Sequence, residues 1–372
     1  MLVGIEVTVL IYVMMAGFFR FIFSFSKQAA LVFLILANVA LIFIMNQLLL
    51  FYIFAQFGWV LLLFELTKRF PKRAVLISWL TFVGLIPFNL ELWLGESQLV
   101  STVREVGQGG NVVLTLWTVG AAFFVVKSFL ALREAMREKK FHYLSTMAGL
   151  TFIPALPAGP IFGSMNFRVE RIAEKMKYVD TLRNVFMLGW GIAAFYIIAP
   201  FVRDLADNNS TDTIGFISDV YLRLAALFFD FSGYTVMAVA FASFFGVTLP
   251  QNFNRPYMAT SIQKFWQRWH MTLNQFVGMY LFKPFVRNTG SPRLGIFLAF
   301  FIVGLWHEFS LNYLLWGMGH GVALSLAMKP PRLYLAVVNK IPWVGKIVGW
   351  FLTMTYVSFL SYMASGYLWG TI

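Results

Sequence analysis

The sequence predicts an all-α protein that crosses a membrane many times. Of its 372 residues, 59% are hydrophobic and 12% are charged, whereas a soluble domain typically has about twice that charged fraction. The apolar residues form continuous runs close to the length of a transmembrane helix, and a transmembrane barrel would instead alternate in segments of roughly ten residues. At about 20 residues for each pass, we expect roughly nine to eleven membrane segments in a single domain over residues 1–372.

Basic residues lie in short clusters between the apolar runs. The formal net charge is +13, but this placement follows the positive-inside rule and predicts the lipid bilayer, and no nucleic acid, as the partner. The clusters at residues 68–73 and 133–140 are then cytoplasmic. Cysteine is absent, which excludes disulfides, thiolate metal sites and a cysteine nucleophile. Residues 1–19 contain no basic residue, which indicates a retained first span rather than a cleaved signal peptide.

The end of each apolar run marks the end of a predicted helix. The first run ends at Arg20. The next, residues 29–66, is too long for one helix and predicts two helices joined by a tight turn at Asn46-Gln47. The remaining runs cover residues 74–94, 112–132, 184–202, 214–249, 294–328 and 343–369, with loops at 96–111 and 204–209. The second of these loops is acidic, and the alternation of the spans places it on the outer face.

Residues 150–167 break this pattern of straight helices. They contain Pro154, Pro157, Gly159, Pro160 and Gly163, which disfavour a full-length helix. Irregular backbone at membrane depth is tolerated where protein buries it or where it lines a cavity. The segment therefore predicts a re-entrant hairpin beside a central cavity or tunnel, and the basic residues at 168–177 predict a short amphipathic surface helix after it.

Three later segments also depart from a simple span. Residues 230–233 predict an interruption of the run at 214–249. Residues 261–276 are amphipathic and rich in aromatic side chains, which is typical of an interfacial helix. Residues 294–328 predict either two short spans or a broken pair.

An unusual group of polar side chains lies between residues 228 and 321. Three of the four histidines are here, together with Asp230 and Glu308. Ionisable groups are expensive in hydrocarbon, so this group is a candidate functional site. It falls in five blocks: FFDFSGY at 228–234, NFNRPY at 252–257, FWQRWHMTL at 265–273, GLWHE at 304–308 and LLWGMGHG at 314–321.

In their order and spacing, these blocks resemble the bacterial branch of the membrane-bound O-acyltransferase family. The Pro-rich block PALPAGPIFG at 154–163 resembles the family's re-entrant block, so the motif core covers residues 150–328. Two positions depart from the common pattern: Glu308 follows His307 where many members have Gly, and Asn274 replaces a frequent Ser. The resemblance implies tilted helices around a thin centre, with a tunnel from a cytoplasmic donor face to an outer acceptor funnel.

The resemblance also implies which residues act. The family's invariant histidine corresponds to His307 and its second motif histidine to His270, in a transfer of an acyl group from a thioester to a hydroxyl. Histidine suits the role of a base near neutral pH. The alternative interpretation of His307 is a core histidine bonded to a backbone carbonyl. His270 either helps to position the donor or braces the core. Donors for the developing oxyanion are Asn254, Arg255 or Trp306, and the sequence does not choose between them.

Other polar residues have two interpretations each. Asp230 is either a partner of the catalytic groups or a buried acceptor at a helix break, and Glu308 is the first alternative base. Arg255 and Arg268 meet either a donor phosphate or lipid headgroups. A zinc site on His270, His307 and His320 is a weaker hypothesis because the spacing of the last two is uncommon, and we expect no metal. His142 follows a basic run and is expected to be solvated.

The predicted function is O-acylation, most simply acetylation, of an exported polysaccharide or another envelope glycan, directly or through an extracytoplasmic partner. The alternatives are transfer of D-alanine or another acyl group from a carrier protein to teichoic acid, and a non-catalytic transporter or export-channel subunit. We expect acyl-CoA (acetyl-CoA) or an acyl-carrier thioester as donor and no tightly bound cofactor. The expected partners are an extracytoplasmic acetyltransferase, a polysaccharide-synthesis complex or an acyl carrier protein, at the bacterial cytoplasmic (inner) membrane.

Overall fold

The computed structural model describes residues 5–45, 47–85, 112–176, 180–208, 213–307, 310–329 and 341–366. Every regular element in these ranges is a helix. Five helices are long and apolar enough to cross a membrane: Lys27–Met45, Leu49–Arg69, Thr181–Asp207, Thr213–Phe244 and Pro342–Ala364. The all-α, multi-pass membrane architecture is confirmed, and the number of nine to eleven segments stays a prediction. The chain forms two compact units, which we describe separately; the single domain over 1–372 stays a prediction.

The first unit contains Met1–Trp190 and Tyr234–Pro250. Its helices are α1 (Ile5–Phe25), α2 (Lys27–Met45), α3 (Gln47–Arg69), α4 (Ala74–Trp79), α5 (Val112–Glu138), α6 (Tyr143–Thr151) and α7 (Val169–Met176). The division of the long run at Asn46-Gln47 is confirmed, because α2 ends and α3 begins there. The predicted loop at 96–111 lies outside the described residues.

The Pro-rich block is irregular and buried, as predicted. It has only short 3₁₀ turns at Ile153–Ala155 and Ser164–Phe167, and residues 159–164 are all buried. Helix α5 holds the block from one side. The ammonium group of Lys127 donates to the carbonyl of Ala155, while the carboxylate of Glu134 accepts from the Ser164 hydroxyl (2.7 Å) and the Met165 amide (3.1 Å). Side chains of α5 therefore bind backbone groups of this segment at Ala155 and Met165; the cavity beside it stays a prediction.

Helix α7 is amphipathic, as predicted: Ile172 is buried while Glu170 and Lys175 are exposed. Just before it, Arg168 donates a hydrogen bond to Glu138, and this bond holds the pKa of Glu138 below its ordinary value. The expectation that His142 is merely solvated is wrong, because its Nε2 lies 3.2 Å from the same carboxylate.

The second unit contains Gly191–Gly233 and Gln251–Ile372. Helix α8 (Thr181–Ala193) enters it and continues through a π-turn at Ala194–Ile198 into α9 (Ala199–Asp207). Then follow α10 (Thr213–Phe244), α11 (Ile262–Trp266), α12 (Met271–Val277), a π-turn at Gly278–Phe282, α13 (Lys283–Thr289), α14 (Pro292–His307), α15 (Leu311–Ala327) and α16 (Pro342–Ala364).

The predicted interruption at residues 230–233 is wrong, because α10 is continuous through them. Gly233 allows a close approach instead of a break. A Cβ atom there would lie 2.8 Å from the amide nitrogen of Phe195 and 2.9 Å from the carbonyl oxygen of Gly191. Close helix packing therefore accounts for the glycine at position 233. A glycine inside a helix lowers helix stability by about 1 kcal/mol relative to alanine, so the helix continues through it.

The single helix predicted at 261–276 is also wrong. Helices α11 and α12 are separated by a turn that ends at His270, whose φ of +43° lies in the left-handed region. Residues 252–254 bind this turn through two backbone hydrogen bonds. The Met271 amide donates to the Asn252 carbonyl (2.8 Å), and the Asn254 amide donates to the Arg268 carbonyl (2.9 Å). These contacts join residues far apart in sequence, and an amphipathic pattern does not reveal them.

Residues 294–328 contain the two helices α14 and α15, and the choice between two short spans and a broken pair stays a prediction. Helices α14 and α15 pack as an antiparallel pair, with Gly304 of one against Tyr313 and Gly317 of the other. A Cβ atom on Gly304 would lie 2.4 Å from the Tyr313 carbonyl oxygen, so this approach requires glycine. The final span is confirmed as α16.

Candidate functional site

His307 is the last residue of α14 and has an exposed side chain. Three aromatic rings surround the imidazole. Tyr313 stacks on it with ring centres 5.6 Å apart, Trp316 meets it edge to face at 5.3 Å, and Trp306 lies 4.9 Å away. The glycines that bring α14 and α15 together thus place His307 against the first turns of α15. The ring is oriented by packing and remains accessible to a substrate.

His320 lies in the middle of α15 and is fully buried. Its Nδ1 accepts a hydrogen bond from the indole N–H of Trp266 at 3.3 Å. An indole nitrogen only donates, so in the neutral imidazole the proton of His320 is on Nε2. The ring also contacts Trp316 at 4.7 Å. His320 therefore braces the aromatic packing behind His307.

His270 is 3% exposed and occupies the N-cap position of α12. Its Nδ1 lies 3.3 Å from Oδ1 of Asn252, and Phe231 of α10 meets the imidazole edge to face at 4.9 Å. The Asn252 oxygen also accepts from the hydroxyl of Thr272 at 2.5 Å and lies 3.4 Å from the Thr272 amide nitrogen. A polar network thus fixes the ring in an otherwise aromatic environment.

His270 and His307 lie in the same compact unit. His320 is connected to His307 through Trp316, which contacts both rings. The described part of the chain contains no group of three or more His, Cys, Asp or Glu side chains that could hold a metal. The expectation that the site holds no metal stays a prediction.

The remaining predicted site residues are distributed differently. Asp230 pairs with Arg203 at 3.4 Å. Its interpretation as an acceptor at a helix break is wrong, because α10 is continuous there, and its interpretation as a partner of the catalytic groups stays a prediction. Asn254 and Arg255 are exposed, and Arg255 has a left-handed φ of +49°. Trp306 lies beside His307. Glu308 lies outside the described residues.

Sequence reasoning missed four residues that build the site: Asn252, Thr272, Tyr313 and Trp266 in its role as donor to His320. Asn252 belongs to the same block as Asn254 and Arg255, and its position in an apolar context was a usable signal. Asn274, noted only as a departure from the family pattern, donates its side-chain amide to the Trp266 carbonyl at 3.0 Å and closes the turn before His270.

Comparison with known proteins gives a consistent result. The model of the membrane-bound O-acyltransferase family matches residues 70–366. The chain is 32% identical over 230 residues to a peptidoglycan O-acetyltransferase of Helicobacter pylori, covering 58% of this chain and 43% of that protein. It is 26% identical to a teichoic acid D-alanyltransferase of Bacillus subtilis (58% and 59% covered) and 30% identical to "Probable alginate O-acetylase AlgI" of Pseudomonas aeruginosa (63% and 48% covered). The chain thus spans about half the length of these relatives.

Proposed function

Because the chain belongs to the membrane-bound O-acyltransferase family, we propose that it transfers an acyl group from a thioester to a hydroxyl of an exported polysaccharide or another envelope glycan. Acetyl is the simplest group, since two of the similar proteins carry names that specify O-acetylation of peptidoglycan or alginate. The observation that carries the proposal is the exposed, ring-stacked His307 at the end of α14.

His307 acts as the general base in this proposal. It takes the proton of the acceptor hydroxyl while that oxygen attacks the thioester carbonyl carbon, and a tetrahedral intermediate forms. When the carbon–sulfur bond breaks, the leaving thiolate takes the proton back from the imidazolium, so ester and free thiol result. Positioned acid–base groups typically contribute about 10²–10⁴-fold to the rate. Of the three predicted oxyanion donors, Trp306 is the one whose ring contacts His307.

The donor in this proposal is acetyl-CoA or an acyl-carrier thioester on the cytoplasmic side, and the protein has no tightly bound cofactor. The proposed location is the bacterial inner membrane. The product either forms directly on the glycan or passes through an extracytoplasmic acetyltransferase or a polysaccharide-synthesis complex.

Transfer of D-alanine from a carrier protein to teichoic acid is the second candidate. One observation favours it: the match to the Bacillus D-alanyltransferase covers 59% of that protein, a larger share than the match to the Helicobacter or the Pseudomonas protein. Radiolabelled acetyl-CoA and D-alanyl carrier protein, offered to the same preparation, distinguish the two donors.

The test is turnover by purified protein in liposomes, with labelled donor inside and glycan fragments outside. We expect His307→Ala to lower turnover by at least about 10²-fold, the lower end of the contribution of a positioned base, and His270→Ala to have a milder effect. His142→Ala is the matched control, because that histidine pairs with Glu138 in the first unit. Near wild-type turnover in His307→Ala would contradict the assignment. Retained activity in both variants would direct attention to Glu308, and absence of turnover in the wild type would favour the transporter alternative.

A further inference from the structure

The hydrogen bonds around Asn252 determine which nitrogen of His270 carries the proton. The amide of Thr272 can only donate, and it lies 3.4 Å from Oδ1 of Asn252. The opposite orientation of the asparagine would put its NH₂ group against this N–H. Oδ1 therefore faces Thr272 and His270, and it is an acceptor. The Thr272 hydroxyl at 2.5 Å then donates to it.

Because Oδ1 accepts, the His270 nitrogen at 3.3 Å has to donate. The neutral ring then has its proton on Nδ1 and a lone pair on Nε2. Helix α12 supports this arrangement, since the backbone is left-handed at His270 and Thr272, in the first turn of the helix, contacts Asn252. A left-handed residue other than glycine is costly and persists only where its surroundings enforce it.

We infer that Asn252 is a positioning residue, which fixes His270 in the Nδ1–H tautomer so that Nε2 is a proton acceptor. This rests on the proposed acyl transfer. It restricts the role of His270: a neutral ring in this tautomer accepts a hydrogen bond from a hydroxyl or from a protonated partner at Nε2, and it does not supply an N–H donor there to an oxyanion. His320, held by the indole of Trp266, has the opposite tautomer.

The direct test does not depend on activity. The chain has four histidines, so solid-state ¹⁵N and ¹³C–¹⁵N spectra of histidine-labelled protein in liposomes contain few signals, and the His270→Gln variant assigns one set. We expect Nδ1–H for His270 and Nε2–H for His320 in the wild type. In Asn252→Leu the His270 preference is lost, while in Trp266→Phe only His320 changes. An Nε2–H tautomer for wild-type His270, or its unchanged state in Asn252→Leu, would overturn the inference.

Kinetics then separate positioning from general structure. We expect Asn252→Leu to lower kcat by about tenfold to a hundredfold, the scale known for partners that orient metal-binding histidines. In a His270→Ala background, the same substitution should lower kcat little further. A full loss in that background would show that Asn252 does not act through His270. Asn184→Leu, which also removes a buried asparagine, is the control and should retain activity.

A third variant covers the case in which Asn252→Leu does not fold. Asn252→Asp keeps every acceptor bond but adds a carboxylate, which favours the charged imidazolium. We expect the His270 tautomer to be retained in the neutral form and the acid limb of the kcat profile to move to higher pH. An unmoved profile in a folded Asn252→Asp protein would refute the positioning role. Absence of activity in the wild type with a confirmed Nδ1–H tautomer would instead refute only the proposed reaction.

Discussion

The contact between Gly304 and Tyr313 links the stability of the helix pair α14 and α15 to the position of His307. A Cβ atom at residue 304 would lie 2.4 Å from the Tyr313 carbonyl oxygen, whereas ordinary contacts begin at 3.4 Å. Gly304→Ala therefore requires the two helices to separate by about 1 Å, because the obstacle is backbone and cannot rotate away. Overpacking of this kind typically costs about 1–3 kcal/mol.

The same displacement acts on the site. His307 is three residues beyond Gly304 and stacks on Tyr313, so a shift of the helix end changes the position of the ring. A misplacement of about 1 Å can reduce turnover by about 10²-fold. We therefore expect Gly304→Ala, and Gly317→Ala with its Cβ 2.6 Å from the Phe300 carbonyl, to lower both Tm and kcat while donor affinity changes less.

Thermal unfolding in detergent and liposome turnover measure the two effects. Gly58→Ala in α3 is the matched control, because nothing lies within 4 Å of its added Cβ. That change should leave turnover unaltered and stabilise the helix slightly, by up to about 1 kcal/mol. Wild-type Tm and turnover in Gly304→Ala would refute the claim that backbone contact sets the position of His307.

Two further predictions concern charge and topology. Asp230→Asn should change stability by about 1 kcal/mol or less, as is typical of a partly exposed ion pair, and should leave turnover close to that of the wild type. A loss of turnover as large as that of His307→Ala would show that Asp230 takes part in catalysis. Because the chain has no cysteine, single substitutions report topology: an impermeant thiol reagent applied to intact cells should label Asn208→Cys and not Lys139→Cys, and the reverse pattern would invert the proposed orientation.

The features that were predicted correctly are those with a local physical cause. Proline has no amide hydrogen and clashes with a preceding turn, so Pro154, Pro157 and Pro160 were sufficient to predict the irregular block. The length of a membrane pass was sufficient to divide the run at Asn46-Gln47. The selection of His307 by its block stays a prediction.

The errors have a common origin in contacts between distant residues. The sequence predicts an interruption at residues 230–233, yet the missing side chain of Gly233 allows close packing against Gly191 and Phe195. The left-handed turn at His270 depends on hydrogen bonds from residues 252–254, about five helical turns away in sequence. No periodicity within 261–276 contains that information, and for the same reason Asn252 was not selected.

The side chains that contact His270, His320 and His307 in the structure are neutral. Asn252 holds His270, Trp266 holds His320, and aromatic rings hold His307. Burying an ion pair in an apolar environment costs several kcal/mol per ion, whereas amides and rings fix an imidazole without adding charge. A base has to be neutral before it accepts a proton, so the positive charge arises only when the acceptor hydroxyl transfers its proton to His307.

A neutral His270 does not oppose that step. A carboxylate at residue 252 would change this, because it favours a charged His270, and that charge would repel the developing imidazolium at His307. Asn252→Asp should therefore lower turnover near neutral pH although it preserves the hydrogen-bond geometry, and turnover should recover as the pH rises and His270 loses its proton. If turnover instead stays low at every pH where the protein is folded, geometry rather than charge limits the variant, and the neutral-partner argument fails.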